Sequence, residues 1–245
     1  MNTINSLSDF LSYAAHAYFC DPRGSWVFRG HASADYKLIP SVGRDAHTLK
    51  SREKYERSLF QIFQREAFAF ITPPPVDDWE WLALARHHGL PTRLLDWTHN
   101  PCVALYFAVE DSATSDGRVF ALWAKVGSSM SGAVSSPFDI SRPIKHYPNV
   151  VTARIRAQEG LFTASSDLET PLDRNLPESW RIESCTIPAS CKERLRYELF
   201  RIGIHHSSLF PDLDGLAKRL RWQHTISSPF TRTTAAPLVK GSVAS

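Results

Sequence analysis

Three short stretches of this 245-residue chain combine the donors, acceptors and backbone freedom needed to handle a charged ligand. In Trp26-Val-Phe-Arg-Gly-His31 an apolar, strand-like run ends on Arg29-Gly30. Glycine permits close backbone approach, and the planar arginine fork suits phosphate or carboxylate. The second stretch, Ala85 to Pro101, concentrates His87, His88, Thr92, Arg93, Asp96, Trp97 and Thr98 between helices, where rigidly held loops carry binding groups. The third, Arg154 to Thr163, brings Gln158 and Glu159 to the start of a late strand. Each also has a structural reading. Arg29 can be a solvated strand end, Asp96 and Thr98 can cap the next helix, and Arg93 can pair with Asp96. His88 can cap the carbonyls of its own helix, and Gln158-Glu159 can be an exposed hairpin pair.

Several chemistries lose their support at once. Adjacent histidines on a helix point about 100° apart, so neither His87-His88 nor His205-His206 forms a metal pair of the usual one-turn spacing. No HExxH, GxSxG or Walker-type loop occurs. Cys20, Cys102, Cys185 and Cys191 form no CxxC motif and read as free thiols. Asp212 and Asp214 supply too few oxygens at the wrong spacing for a calcium loop, and Asp212 is better read as a helix cap.

The elements that must hold these residues follow from periodicity and punctuation. Ser6 to Phe19, Ser51 to Phe70, Asp77 to His88 and Asn100 to Glu110 have helical patterns, with Gly89 placed as a left-handed C-terminal cap and Asn100-Pro101 as a start. Leu90 to Thr98 reads as an irregular connection and Lys37 to Arg44 as a loop. Arg118 to Val126, Val150 to Ala157, Leu161 to Ala164 and Arg181 to Pro188 read as strands, and residues 127 to 149 as a long loop. Ser190-Cys-Lys-Glu193 suggests a capping box opening a helix that ends near Gly203, and a last helix spans Leu213 to Gln223. Its Lys218, Arg219 and Arg221 with Trp222 offer a basic face with a stacking ring. Residues 1–226 read as one domain and 227–245 as a flexible tail with little to bury.

Composition sets outer bounds. With 43% hydrophobic and 22% charged residues, seven tryptophans and fourteen phenylalanines, the chain can bury an aromatic-rich core. A net charge of +3 is compatible with nucleic acid without demanding it. No signal-peptide pattern or long apolar run appears, so a soluble cytoplasmic protein without a membrane partner is expected.

Taken together, Phe28-Arg29-Gly30, Pro40-Ser41 with Arg44, His87 through Thr98 with Asn100-Pro101, Gln158-x-Gly160-x-Phe162 and Ser208 through Gly215 resemble the FRG-domain family. A more distant likeness leads to ADP-ribosyltransferases, which place an arginine or histidine on an early core strand and a glutamate on a late one. That likeness implies an α+β fold: a single domain with N-terminal helices packed on a mixed, mainly antiparallel ADP-ribosyltransferase-like sheet. It implies NAD as substrate and a toxin or antiphage defence role, with a protein or nucleic-acid acceptor, RNA among them, and an antitoxin or chaperone partner. On this reading Arg29, Glu159 and His88 are catalytic. Arg29, Gly30, Thr92, Arg93, Asp96, Trp97 and Gln158 bind the cofactor, and no metal is required. The family's recurring feature in the third stretch is the glutamine, so the acid can also lie elsewhere, with His88, Thr92 and Asp96 as alternatives. A non-enzymatic nucleotide- or nucleic-acid-binding module using Arg29 and Arg93 as clamps, or a metal-independent nuclease using His88 and Asp96, fits the same residues.

Overall fold

The computed structural model describes residues 2–15, 24–46, 51–111, 114–125, 134–149 and 152–225. Among these, seven strands form one sheet: β1 (Asn2–Thr3), β2 (Gly24–His31), β3 (Leu94–Thr98), β4 (Gly117–Lys125), β5 (Ile144–His146), β6 (Gly160–Ala164) and β7 (Trp180–Ile187). Their order is β1-β7-β4-β2-β3-β6-β5, with only β1 and β7 parallel. The fold is therefore α+β on a mixed, mainly antiparallel sheet.

The period-two side-chain alternation of a strand builds two cores from the same residues. Trp26, Phe28, Val119, Ala121, Trp123, Cys185 and Ile187 share one face, while Val27, Phe120, Leu122, Ala124 and Trp180 share the other. Helix α5 (Pro101–Val109) lies on the first face, buried along most of its length, and starts where Asn100 accepts from Cys102 N with proline in the first turn. α1 (Leu7–Ala14) and α7 (Lys192–Arg201) contribute Phe10, Leu195 and Leu199 to that core.

A third core joins α3 (Arg52–Ala67) and α4 (Asp78–His87) to β3 and β6 through Phe60, Trp79, Leu82, Leu94 and Phe162. Gly89, at φ 88°, closes α4: its N–H donates to Arg86 O while Leu90 N donates to Ala85 O, the paired bonds of a Schellman cap. Shorter helices α2 (Ser41–Arg44), α6 (Ala153–Ala157) and α8 (His206–Leu209) lie in connections, and α9 (Leu213–Thr225) ends the described chain.

The structure departs from the sequence reading at definite places. Leu94–Thr98 is strand β3: Leu95 and Trp97 join one core and Leu94 another, an alternation that the polar Asp96 disguises. Ala153–Ala157 is a helix because Thr152 accepts from Ile155 N and caps a run of good helix formers. Ser41–Arg44 is a helical turn, and Ile144–His146 is an edge strand within the stretch read as loop. The capping box at Ser190–Glu193 does not form, because a 3-10 turn over Ala189–Cys191 precedes α7; the reciprocal box is made by His205 and Ser208 on α8. α3 stops at Ala67, short of the expected end at Phe70, whose side chain is 87% exposed. Cys20 and the tail at 227–245 lie outside the described residues.

Candidate functional site

β2 and β3 share one bridged pair, Phe28 with Thr98. Past that pair the strands part, and a cavity of about 570 Å³ opens between β2, α4, β3, α5 and α6, a size usual for small-molecule sites. A strand that leaves its ladder orphans carbonyls, and these need another donor. Here Arg29 supplies it: its Nη1 donates to Asp96 O at 2.6 Å and approaches Asp96 Oδ2 at 3.4 Å, while its Nε donates to His31 Nε2 at 2.9 Å. Arg86, the last residue but one of α4, grips the same carboxylate, with Nη2 to Oδ2 at 2.6 Å and Nε within 3.3 Å of both oxygens. Its Nη1 reaches Ser41 Oγ at 3.2 Å. Arg29 thus keeps Nη2 without a protein partner among the described residues, whereas Arg86 is committed to Asp96 and Ser41.

The charges of this cluster support one another. Burial opposes ionisation of Asp96, but Arg86 and Arg29 outweigh it and hold the carboxyl well below the usual range. Asp96 raises the pKa of Arg86, and burial lowers that of Arg29 against the same carboxylate. His31 is pushed down to about 3, first by burial and then by the Arg29 charge. It is therefore neutral, with Nε2 accepting from Arg29 and the Nδ1 proton directed to Tyr36 O at 3.1 Å. His87, lowered to about 4 by burial and then by Arg154, is neutral as well.

The state of His31 has a measurable consequence. Below its unfolded value of 6.5 the unfolded chain takes up a proton that the folded chain refuses until about 3, so stability falls with pH across that window. His31→Gln, which keeps an acceptor but does not titrate, is expected to reduce the loss of unfolding free energy between pH 7 and pH 5 by about 2 kcal/mol. Urea titrations at the two pH values measure it. An unchanged pH dependence would show that His31 titrates normally in the fold.

Of the residues given a catalytic or cofactor-binding role from sequence, Arg29, Gly30, His88, Asp96, Trp97 and Gln158 line the cavity. Trp97 does so without a free ring: its indole is buried, with Nε1 donating to Thr163 Oγ1 at 2.9 Å. Gln158 ties the cavity wall to α8 through Nε2 to Leu209 O at 3.2 Å, and its carbonyl accepts from Thr98 Oγ1 at 2.6 Å. Thr92, Arg93 and Glu159 do not line the cavity. Thr92 is fully buried and bonded through its backbone to Ser41 Oγ. Arg93 is buried against Glu56. Glu159 is exposed in a left-handed turn at φ 48°, its carboxylate accepting from Asn100 Nδ2 at 3.1 Å.

The cavity also enlists residues to which sequence reasoning gave no role: His31, Lys37, Arg86, Arg154, Glu110 and Asp111. Arg154 lies over the Phe210 ring at 4.4 Å with Nη1 on His87 O at 3.2 Å. His206 stacks on the same ring, with centroids 4.3 Å apart, and meets Glu110 Oε1 at 2.6 Å through Nδ1. The Ser208–Gly215 segment therefore braces one wall, while Asp212 caps its helix by accepting from Gly215 N at 2.6 Å, as its sequence suggested. Arg86 was legible in principle, since it stands beside His87 in the dense segment.

The geometry defines an α+β protein with an arginine-floored cleft at a split in its sheet. Residues 24–117, from β2 to the start of β4, match the family model of the FRG domain. Arg29, Arg44, Arg86 and Asp96 all fall within the match, whereas Gln158 and the Ser208–Gly215 segment lie beyond it. No curated protein and no solved structure matches the chain. No helix among the described residues is long and apolar enough to cross a membrane.

Proposed function

We propose that the cleft binds a pyrophosphate-bearing nucleotide, NAD foremost, and that the protein is an ADP-ribosyltransferase-like toxin or defence effector acting on a macromolecule. The observation that carries this reading is the pair of positioned guanidiniums. Arg29 is fixed by His31 and Asp96, and Arg154 by Phe210 and His87, so each is held in place before a ligand arrives. Fixed forks of donors suit phosphate oxygens and lose little entropy on binding them. Phe107 and the His87–His88 pair, with ring centroids 4.7 Å apart, supply faces for a nicotinamide or adenine ring.

Transfer breaks the bond between ribose C1′ and nicotinamide nitrogen, and nicotinamide leaves as a neutral base with the bonding pair. The cation-like sugar then bonds to an acceptor oxygen or nitrogen that gives up its proton. A carboxylate near C1′ stabilises that cation. Asp96 is engaged by two arginines, Glu110 is held by His206, and Asp111 is exposed at the cavity edge. Glu110 thus joins Glu159 as the acid to test. Its hold on a neighbouring imidazole gives it a fixed position, which Glu159 gains only from Asn100. An effector of this kind would be kept silent by an antitoxin or chaperone partner.

Calorimetric titration with NAD, followed by labelled NAD offered with protein, RNA and DNA pools, tests the reading. Arg29→Ala is expected to weaken NAD binding by about tenfold or more, the usual loss for a charge-assisted hydrogen bond. Glu110→Gln and Glu159→Gln, run in parallel, identify the acid as the variant that binds NAD but transfers no label. A wild-type protein that binds no NAD ends the reading, and binding without transfer turns it into the non-enzymatic module. The nuclease alternative is disfavoured because Asp96, held strongly ionised, is a weak proton acceptor.

A further inference from the structure

We infer that the mouth of the cleft is a binding site for single-stranded nucleic acid, which presents the acceptor to the inner cavity; the acceptor role rests on the transferase reading, the binding itself does not. The connection after β2 places Tyr36, Lys37 and Arg44 on the cavity lining. Tyr36 is 57% exposed, the one exposed large hydrophobic side chain among the described lining residues. Its backbone is nevertheless fixed, since its N–H donates to Ser33 O at 3.2 Å and its carbonyl accepts from His31. Lys37 and Arg44 are exposed, and neither has an ion-pair partner among the described residues.

A presented ring flanked by unpaired cations is the arrangement that binds single strands: bases stack on the ring and phosphates meet the charges. A protein partner would call for an apolar patch of several side chains at the interface centre, and Tyr36 stands alone among polar neighbours. The basic face of α9 does not compete for this role. Lys218 pairs with Glu110 at 3.4 Å, and Arg219 Nη1 donates to Gln223 at 2.9 Å. Trp222 packs on Phe200 at 5.5 Å, with Arg196 4.7 Å over its ring, so its faces are already used.

Fluorescence anisotropy with labelled RNA and DNA strands of one sequence, about fifteen nucleotides long to cover a typical site, tests the inference, with an oligoglutamate peptide as a polyanion control. The wild-type chain is expected to bind a strand, and Tyr36→Ala to weaken it about tenfold. Lys37→Ala and Arg44→Ala are each expected to lower the salt dependence by about one counterion. The RNA and DNA arms decide which strand is preferred. Failure to bind either strand, affinity unchanged in all three variants, loss confined to Arg221→Ala, or tighter binding of oligoglutamate than of either strand overturns the inference. NAD calorimetry on the same wild-type protein reports separately: strand binding without NAD binding leaves the mouth assigned and overturns the nucleotide reading alone.

Discussion

Glu56→Ala is expected to cost about 3–5 kcal/mol of folding stability, the usual loss when one partner of a buried ion pair is removed. Glu56 and Arg93 side chains are 1% and 2% exposed. Glu56 Oε1 accepts from Arg93 N at 2.5 Å, and Oε2 accepts from Nε at 2.8 Å. The guanidinium also donates from Nη1 to Pro137 O at 3.1 Å and lies 4.8 Å from the Phe138 ring centre. The pair thus joins α3, the entry to β3 and the turn at Pro137–Asp139. Burial pushes the Glu56 pKa up while Arg93 opposes it, so an unpaired charge at either position would be strongly disfavoured. Alanine removes the acceptor and leaves the guanidinium stranded against the Phe138 ring. Total stabilities of about 5–15 kcal/mol make such a loss sufficient to unfold much of the population at modest urea. Replacing both partners, Glu56→Leu with Arg93→Met, is expected to recover most of it. Tryptophan fluorescence during urea titration reads both. A Glu56→Ala midpoint close to wild type would mean that the pair is solvated, and NAD affinity that survives in the folded double variant would separate Arg93 from ligand binding.

That Arg93 is structural could not be read from its own neighbourhood. In sequence its nearest opposite charge is Asp96, three residues on, and its actual partner is 37 residues back on α3. Asp96 has the reverse history. Its neighbours suggest capping, yet it sits inside a strand and collects Arg86 from α4 and Arg29 from β2. Local rules identify which residues are polar and where helices stop; which polar groups meet depends on how α3, α4 and the split sheet are docked. Where docking follows from periodicity alone, the sequence was legible. The unbroken apolar run in α5, its Asn100-Pro101 start, the dense β4 and the Gly89 stop are local features that packing reinforces. The strand β3 was hidden because a charged residue at its centre breaks apolar continuity, and that charge is what the cleft is built around.

The site was legible in the same uneven way. Arg29 and Asp96 could be picked out because arginine after an apolar strand and aspartate in a dense segment are unusual. His31 could not, because its role is to be neutral and to accept from Arg29, a condition set by burial and by the loop that brings Tyr36 O to Nδ1. Arg154 was hidden by the strand-like reading of its segment, which as a helix turns it onto Phe210. Glu159 was chosen by chain order, but the left-handed turn at the α6–β6 junction places it toward Asn100.

Gly30→Ala tests whether the glycine beside Arg29 serves the ligand or the scaffold, and it is expected to destabilise by about 3 kcal/mol, the upper end for overpacking. A Cβ at Gly30 would lie 1.9 Å from Ala104 O and 2.7 Å from Ala108 N, both backbone atoms of α5. Neither can rotate aside, so the helix must lift from the strand or β2 must shift in its register with β4. Gly160→Ala is the internal control, because its added carbon would meet Ile155 at an ordinary 3.5 Å. Thermal or urea unfolding should separate the two variants, with Gly160→Ala near wild type. The displacement has a second expected result. Arg29 is anchored through an Asp96 carbonyl across the strand gap, so moving β2 relative to β3 breaks the 2.6 Å bond and frees the guanidinium. NAD affinity per folded molecule should therefore fall in Gly30→Ala as it does in Arg29→Ala, although no ligand atom need touch residue 30. A folded Gly30→Ala protein with wild-type stability and affinity would show that α5 does not press on β2. Reduced affinity at unchanged stability would assign Gly30 to the ligand, and a loss of both assigns it to the contact that keeps Arg29 in place.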